Sequence, residues 1–225
     1  MGVTPEELAQ LYPRLYHMAE ADSWESIVRC GLLSTSALLD LFEVNGEERR
    51  NIELRRRGES HEIKHTVHGR VVVRDQKPII ESKLQASLQD CTLEVWYRLL
   101  NGRVFFWLTQ ERLNTLLSAK AYREQPHTVL TLDTLSLAKS YAKSITLSPM
   151  NSGNTLPIAH PRGMATFSRM EDYPFPERLK RGLYYTVVEL AVEGGVPDIV
   201  KYTIRVDSMV SKDGQVSALR EIFSR

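Results

Sequence analysis

The sequence predicts an α+β fold. Stretches with helical spacing of apolar residues are interspersed with period-two runs, and most neighbouring strands read as antiparallel. Of 225 residues, 42% are hydrophobic, enough for a sizeable core, and 25% are charged, which is ordinary for a globular chain. That length fits a single domain over residues 1–225.

The elements follow in order. Thr4, Pro5 and the acids after them have the cap, first-turn proline and early negative charge of a helix over 4–12. A short strand then ends in His17. Asp22 or Ser23 can cap a helix in which Trp24, Ile27 and Val28 share a face, and Gly31 sits where a left-handed cap stops it. Ser34–Phe42 reads as a second capped helix, closed near Asn45-Gly46. Glu47–Arg57 reads as a helix carrying five arginines. From Glu62 to Arg74 the period changes to two, a hairpin turning at His68-Gly69. Short helices follow over 82–88 and from Thr92, the latter stopped by Asn101-Gly102.

Arg103–Leu108 is the most apolar strand-like run and should lie centrally in a sheet. Thr109 caps a helix over 110–122, Thr128–Leu132 is a buried strand, and Asp133 starts a helix over 135–142. Residues 145–173 read as one long loop rich in Pro, Gly and Asn, a length that is usually functional or mobile. Leu183–Val192 reads as a clear strand and 201–206 as another. Val216–Phe223 fits a strand or a short helix equally.

Composition excludes several classes. A net charge of +1 gives no global field for nucleic acid or acidic membranes, so such a partner must meet a local patch. Cys30 and Cys91 make neither a disulfide framework nor a zinc site and imply reduced thiols. The N-terminus lacks a basic segment followed by an apolar run, and no apolar run is long enough to span a bilayer. The expectation is a cytoplasmic protein with no membrane partner. G-x-G-x-x-G, Walker A, H-E-x-x-H and G-x-S-x-G patterns are absent, which removes support for Rossmann, P-loop, zincin and serine-hydrolase chemistry; no metal is expected.

Candidate chemistry sits at five places. Glu189 interrupts the apolar run 184–192 and is costly if it faces a core. It is either a solvent-facing residue of an edge strand or a catalytic carboxylate, suited to steady positive charge and to accept a proton. His17, alone at a strand end, is either structural or functional. The arginines are either a solvated face or a bidentate grip on phosphate. Arg103, Phe105 and Trp107 share a face that is core, or that offers an aromatic ring to stack on a ligand. Asn151, Asn154, His160 and Arg162 lie on the long loop and suit a base edge and phosphate, or belong to a plain surface connection.

The segments "GLLSTSALLDLF", "RDQ-P", "LN-RVFFW", "SP-NSG-T" and "RG-ATF" resemble those of an uncharacterised bacterial domain family. Two sharper motifs, "L-Y-H" with "W-x-x-I-x-x-x-G-L" over 15–34 and "E-L-A-V-x-x-x-V-P-D-I" from Glu189, resemble the ADP-ribosyltransferase fold of DarT-like toxins and tRNA 2′-phosphotransferases. That resemblance implies two packed, mostly antiparallel sheets with flanking helices around an NAD cleft. It implies mono-ADP-ribosyl transfer from NAD to a nucleobase in DNA or RNA, as a toxin or phage-defence effector with a macrodomain antitoxin as partner. Glu189 would be catalytic with an arginine of "I-x-x-R-R" type. Here the register is ambiguous among Arg55, Arg56 and Arg57, with Arg56 taken first and Arg57 second. Tyr16, His17, Met18, Gly31, Leu32, Arg103 and Phe105 would hold NAD, and Asn151, Asn154, His160 and Arg162 the acceptor. The chain departs from the toxins at "LN-RVFFW", so thymidine specificity does not carry over. An NAD glycohydrolase, an RNA 2′-phosphotransferase-like enzyme and a non-catalytic nucleotide sensor are the other readings.

Overall fold

A computed structural model describes residues 2–225. Its strands are β1 (Arg14–Ala19), β2 (Leu32–Leu33), β3 (His61–His65), β4 (Gly69–Val73), β5 (Arg103–Trp107), β6 (His127–Asp133), β7 (Ile145–Ser148), β8 (Ser168–Arg169), β9 (Glu189–Glu193), β10 (Gly195–Val196), β11 (Thr203–Lys212) and β12 (Gln215–Ser224). Eight of them form one sheet in the order β12-β11-β6-β1-β5-β9-β7-β8, and every pairing in it is antiparallel. The architecture is therefore α+β: a large antiparallel sheet with flanking helices.

The expectation of two packed sheets is corrected: one eight-stranded sheet dominates, beside the two-stranded pairs β10-β2 and β3-β4. The ladder is continuous, but its two halves meet at β1 and β5 through the single pair Tyr16–Trp107. One residue further on, the His17 imidazole bonds the Phe105 carbonyl at 2.8 Å, so a side chain takes over where strand pairing stops. Leu15, Leu130, Leu132 and Val206 from one half share a core with Val104, Phe106, Leu147, Leu190 and Val192 from the other. Each such buried side chain stabilises the fold by roughly 1.5–3 kcal/mol, before chain entropy is counted. The core holds the halves together below the place where the ladder thins.

Helix starts follow the caps. Thr4, Ser34, Thr92, Thr109 and Asp133 each accept a backbone N–H at the head of a helix, an interaction generally of about 1 kcal/mol. Between Asp22 and Ser23, Ser23 holds the cap position of helix Trp24–Cys30, although its hydroxyl bonds the Glu20 carbonyl instead of a helix N–H. Gly31 has φ +82°, and a Cβ there would lie 2.5 Å from Pro197 Cα, so only glycine fits.

Four element readings change. The arginine helix is Gly46–Glu53, and Arg55, Arg56 and Arg57 lie beyond its end. The helix after Thr109 stops at Leu117. The long loop contains β7, β8 and a short 3₁₀ turn. β7 is buried on both faces, which removes the alternation that would mark it as a strand. Finally, Leu183–Thr186 is a short helix and only Glu189–Glu193 is strand. Tyr12 Oη donates to the Leu183 carbonyl and Arg178 Nε to that of Thr186, so side chains take carbonyls that a sheet partner would otherwise use. The C-terminal ambiguity resolves as β12. No helix among the described residues is long and apolar enough to cross a membrane.

Candidate functional site

Where the sheet thins, a cavity of about 850 Å³ opens, toward the upper end of the roughly 300–1,000 Å³ common for ligand sites. β1, the Gly31–Leu33 segment, β4 and the chain after it, β5, helix Gln110–Leu117, residues 151–154 and β9 supply its walls.

Glu189 opens β9, an interior strand, opposite Trp107 of β5 and Ser148 of β7. It is 4% exposed, so the edge-strand alternative fails. One carboxylate oxygen, Oε2, accepts both the Ser152 N–H at 3.0 Å and the Ser152 hydroxyl at 2.7 Å. Burial pushes its pKa up to about 7, against the Ser152 bonds and the nearby Arg112 and Arg162 cations. The group is poised to exchange a proton near neutrality.

His17 reaches the cavity from the other half of the sheet. A carbonyl can only accept, so the bond to Phe105 places the proton on Nδ1 and leaves Nε2 as an acceptor in the neutral ring. Burial lowers its pKa to about 4; the Phe105 bond opposes that shift and the Arg74 cation adds to it. The imidazole is neutral at pH 7.

Of the three arginines 55–57, Arg57 is the one that lines the cavity. It is 5% exposed and donates to the Arg74 carbonyl at 2.9 Å, to Asn101 Oδ1 at 2.9 Å and to the Ile52 carbonyl. All three acceptors are neutral, and no carboxylate among the described residues pairs with it. Burial lowers its pKa to about 10, which still leaves it charged. Arg57 lines the cavity. Arg56 does not: it is exposed and donates to the Ile79 and Lys77 carbonyls. Because the helix ends at Glu53, the three arginines diverge instead of sharing one polar face.

Met18, Gly31, Leu32, Arg103, Phe105, Asn151 and Asn154 also line the cavity. Three expected site residues, besides Arg56, do not. Tyr16 packs beside Trp107 against the Leu113 and Leu117 cluster. His160 stands outside the wall, its carbonyl accepting Arg162 Nε at 3.0 Å. Arg162 is 2% exposed and donates through Nη1 to the Ser152 carbonyl at 3.0 Å. It therefore braces the loop from behind. Arg103 reaches the wall, but its guanidinium is engaged by Glu193 at 2.7 Å and the Leu99 carbonyl at 2.8 Å, so its charge is already answered.

Sequence reasoning missed Ser152 and Arg112. Ser152 lies in the Asn-Ser-Gly stretch, where only the asparagines drew attention. Arg112 lines the cavity with its guanidinium 3.8 Å over the Tyr184 ring, and its Nη2 donates to the Tyr184 carbonyl. The capped helix start at Thr109 placed it within the first turn but gave no sign of which way it points.

The cavity walls carry six cations, Arg57, Arg74, Lys77, Arg103, Arg112 and Lys120, against Glu20, Asp75 and Glu189. Arg74 pairs with Glu20 and Lys77 with Asp75, at 3.8 and 3.7 Å. Arg57, Arg112 and Lys120 are left without a carboxylate within ion-pair distance among the described residues. Such a lining favours an anionic ligand with a flat apolar part for Phe105 and Trp107. No trio of His, Cys, Asp or Glu among the described residues is placed to hold a metal ion.

No relative matches among curated proteins. A family profile, that of a family of unknown function (DUF7002), matches residues 13–203, which include His17, Arg57, Ser152 and Glu189. The chain belongs to the DUF7002 family.

Proposed function

We propose that this protein cleaves NAD and transfers its ADP-ribose, with Glu189 as the catalytic carboxylate. The observation that carries the reading is a buried carboxylate with a pKa of about 7 in a cation-lined cavity that also presents a neutral histidine. In this reading Arg57 meets the pyrophosphate and His17 Nε2 accepts a hydrogen bond from a ribose hydroxyl. Phe105 or Trp107 offers a ring face to the nicotinamide.

The chemistry balances as follows. The bond from ribose C1′ to the nicotinamide nitrogen breaks, and its electron pair returns to the pyridinium ring, which leaves neutral. C1′ becomes cationic, and the Glu189 carboxylate stabilises it. An acceptor atom then bonds C1′ and gives up its proton, which Glu189 can take because its pKa lies near 7. A nucleobase nitrogen or oxygen is the acceptor class proposed, with Asn151 and Asn154 at the cavity wall to meet its edge.

The test is incubation with NAD labelled in the adenylate, with DNA, RNA or cell lysate, beside Glu189→Gln. Label on a nucleic acid with the wild type and none with the variant is the expected result. Nicotinamide release without any labelled acceptor would replace transfer by hydrolysis. Equal labelling by both proteins would remove Glu189 from the mechanism.

A further inference from the structure

We propose that Ser152 is a positioning residue that holds and tunes the Glu189 carboxylate, and that Arg162 acts on the site through Ser152. As a statement about catalysis this rests on the transferase reading above; as a statement about the carboxylate it stands apart from it.

The geometry is that of a two-step brace. Ser152 is 1% exposed and places both its N–H and its hydroxyl on the same Glu189 oxygen. Two donors on one oxygen fix the plane of the carboxylate and favour its ionised form. On its other side, the Ser152 carbonyl accepts Arg162 Nη1 at 3.0 Å. Arg162 is itself locked: its N–H donates to the Ser87 carbonyl at 2.9 Å, and its carbonyl accepts the Gln89 N–H at 3.0 Å. The loop between Ser152 and Arg162 is tied again at Thr155, whose hydroxyl accepts the Ile80 N–H at 2.7 Å. Both ties run to the chain flanking helix Glu81–Ser87.

The charged groups bearing on Glu189 are few. Arg112 from helix Gln110–Leu117 and Arg162 from the loop are the cations. Its register neighbours Trp107 and Ser148 are uncharged. With so little else to stabilise the ionised form, the hydroxyl of Ser152 has leverage. Losing it should raise the carboxyl pKa by about one unit, tenfold in proton affinity. The backbone N–H remains in the variant and limits the change.

The experiment reads the carboxyl directly by infrared difference spectroscopy, following the protonated C=O band against pH. Glu189→Gln identifies the band. The wild-type midpoint is expected near 7, Ser152→Ala about one unit higher, and Arg162→Lys between the two. Thr155→Ala removes a tie of the same loop that does not touch Glu189 and should move the midpoint less than Ser152→Ala does. An unmoved midpoint in folded Ser152→Ala overturns the proposal. So does an equal shift in Thr155→Ala, or the absence of a wild-type band that Glu189→Gln removes. Nicotinamide release against pH is measured on the same proteins. If release occurs and its rising limb fails to follow the Ser152→Ala midpoint, the positioning role in catalysis is lost. If the wild type releases none, the transferase reading falls while the shifted midpoint still supports the brace.

Discussion

On the β1 side of the cavity, His17 is held by one backbone carbonyl and kept neutral, its pKa lowered to about 4. On the β9 side, Glu189 is held by a serine on a braced loop, and its pKa is raised to about 7. Desolvation is the leading cause in both, yet it moves a base down and an acid up, so burial alone removes charge from both walls. The difference lies in what surrounds them. The cation beside His17 pushes it further from charge, whereas every charged neighbour and hydrogen bond of Glu189 pulls it back toward ionisation. One wall is built to stay neutral, and the other to hover between two states.

Glu189→Gln is the sharpest way to break that contrast. It keeps shape and loses the charge, and turnover of NAD should fall on the order of 10³-fold. In the wild type, rate should rise with pH through about 7 as the carboxyl ionises, which a pH series of initial rates checks.

Stability should respond next. The native Glu189 keeps a proton that the unfolded chain releases above its ordinary value of 4.5, so its contribution is lost as pH rises from 4.5 to about 7. His17 works in the opposite direction. The native ring refuses a proton that the unfolded chain takes below 6.5, so stability is lost as pH falls from 6.5 to about 4. The two slopes oppose each other between 4.5 and 6.5. Glu189→Gln should therefore expose the histidine limb. Its gain over the wild type should grow from near zero in acid to about 3 kcal/mol at weakly alkaline pH, measured by urea unfolding across pH.

Arg57→Lys keeps a cation but loses the planar fork that spans Asn101 and the Arg74 carbonyl. The apparent affinity for NAD should weaken by about ten- to thirtyfold, a loss of 1.4–2 kcal/mol, read by calorimetry. Arg56→Ala is the smallest effect. Its side chain is exposed and binds only loop carbonyls, so NAD affinity should change less than about twofold and stability by about 0.5 kcal/mol or less. A large effect at Arg56 beside a small one at Arg57 would reverse the assignment of the two arginines.

Much of the fold was legible where the signal is local. Thr4, Thr92, Thr109 and Asp133 announced helix starts, and Gly31 announced a stop, because caps are chemistry between residues two to four positions apart. Glu189 stood out because a carboxylate in an apolar run is costly wherever it lands. β7 was hidden, since a strand buried on both faces has no alternation to read. Tyr184 and Tyr185 have the composition of a strand, but contacts with Tyr12, Arg112 and Arg178 hold that stretch as a helical turn.

The sequence by itself determined the alternation of helices and strands, the α+β class and the residues worth watching. Only the tertiary structure decided which of them meet. Arg57 turns inward and Arg56 outward beyond the helix end at Glu53, and Arg57 is held there by the Arg74 carbonyl and Asn101, far away in the chain. His17 reaches the cavity because the sheet narrows to one pair beside it, and Arg162 braces Ser152 from behind instead of lining the wall. These are long-range relations between residues far apart in the chain. No local pattern encodes them, because the free energy that fixes them arises only when the two halves of the sheet close on a common core.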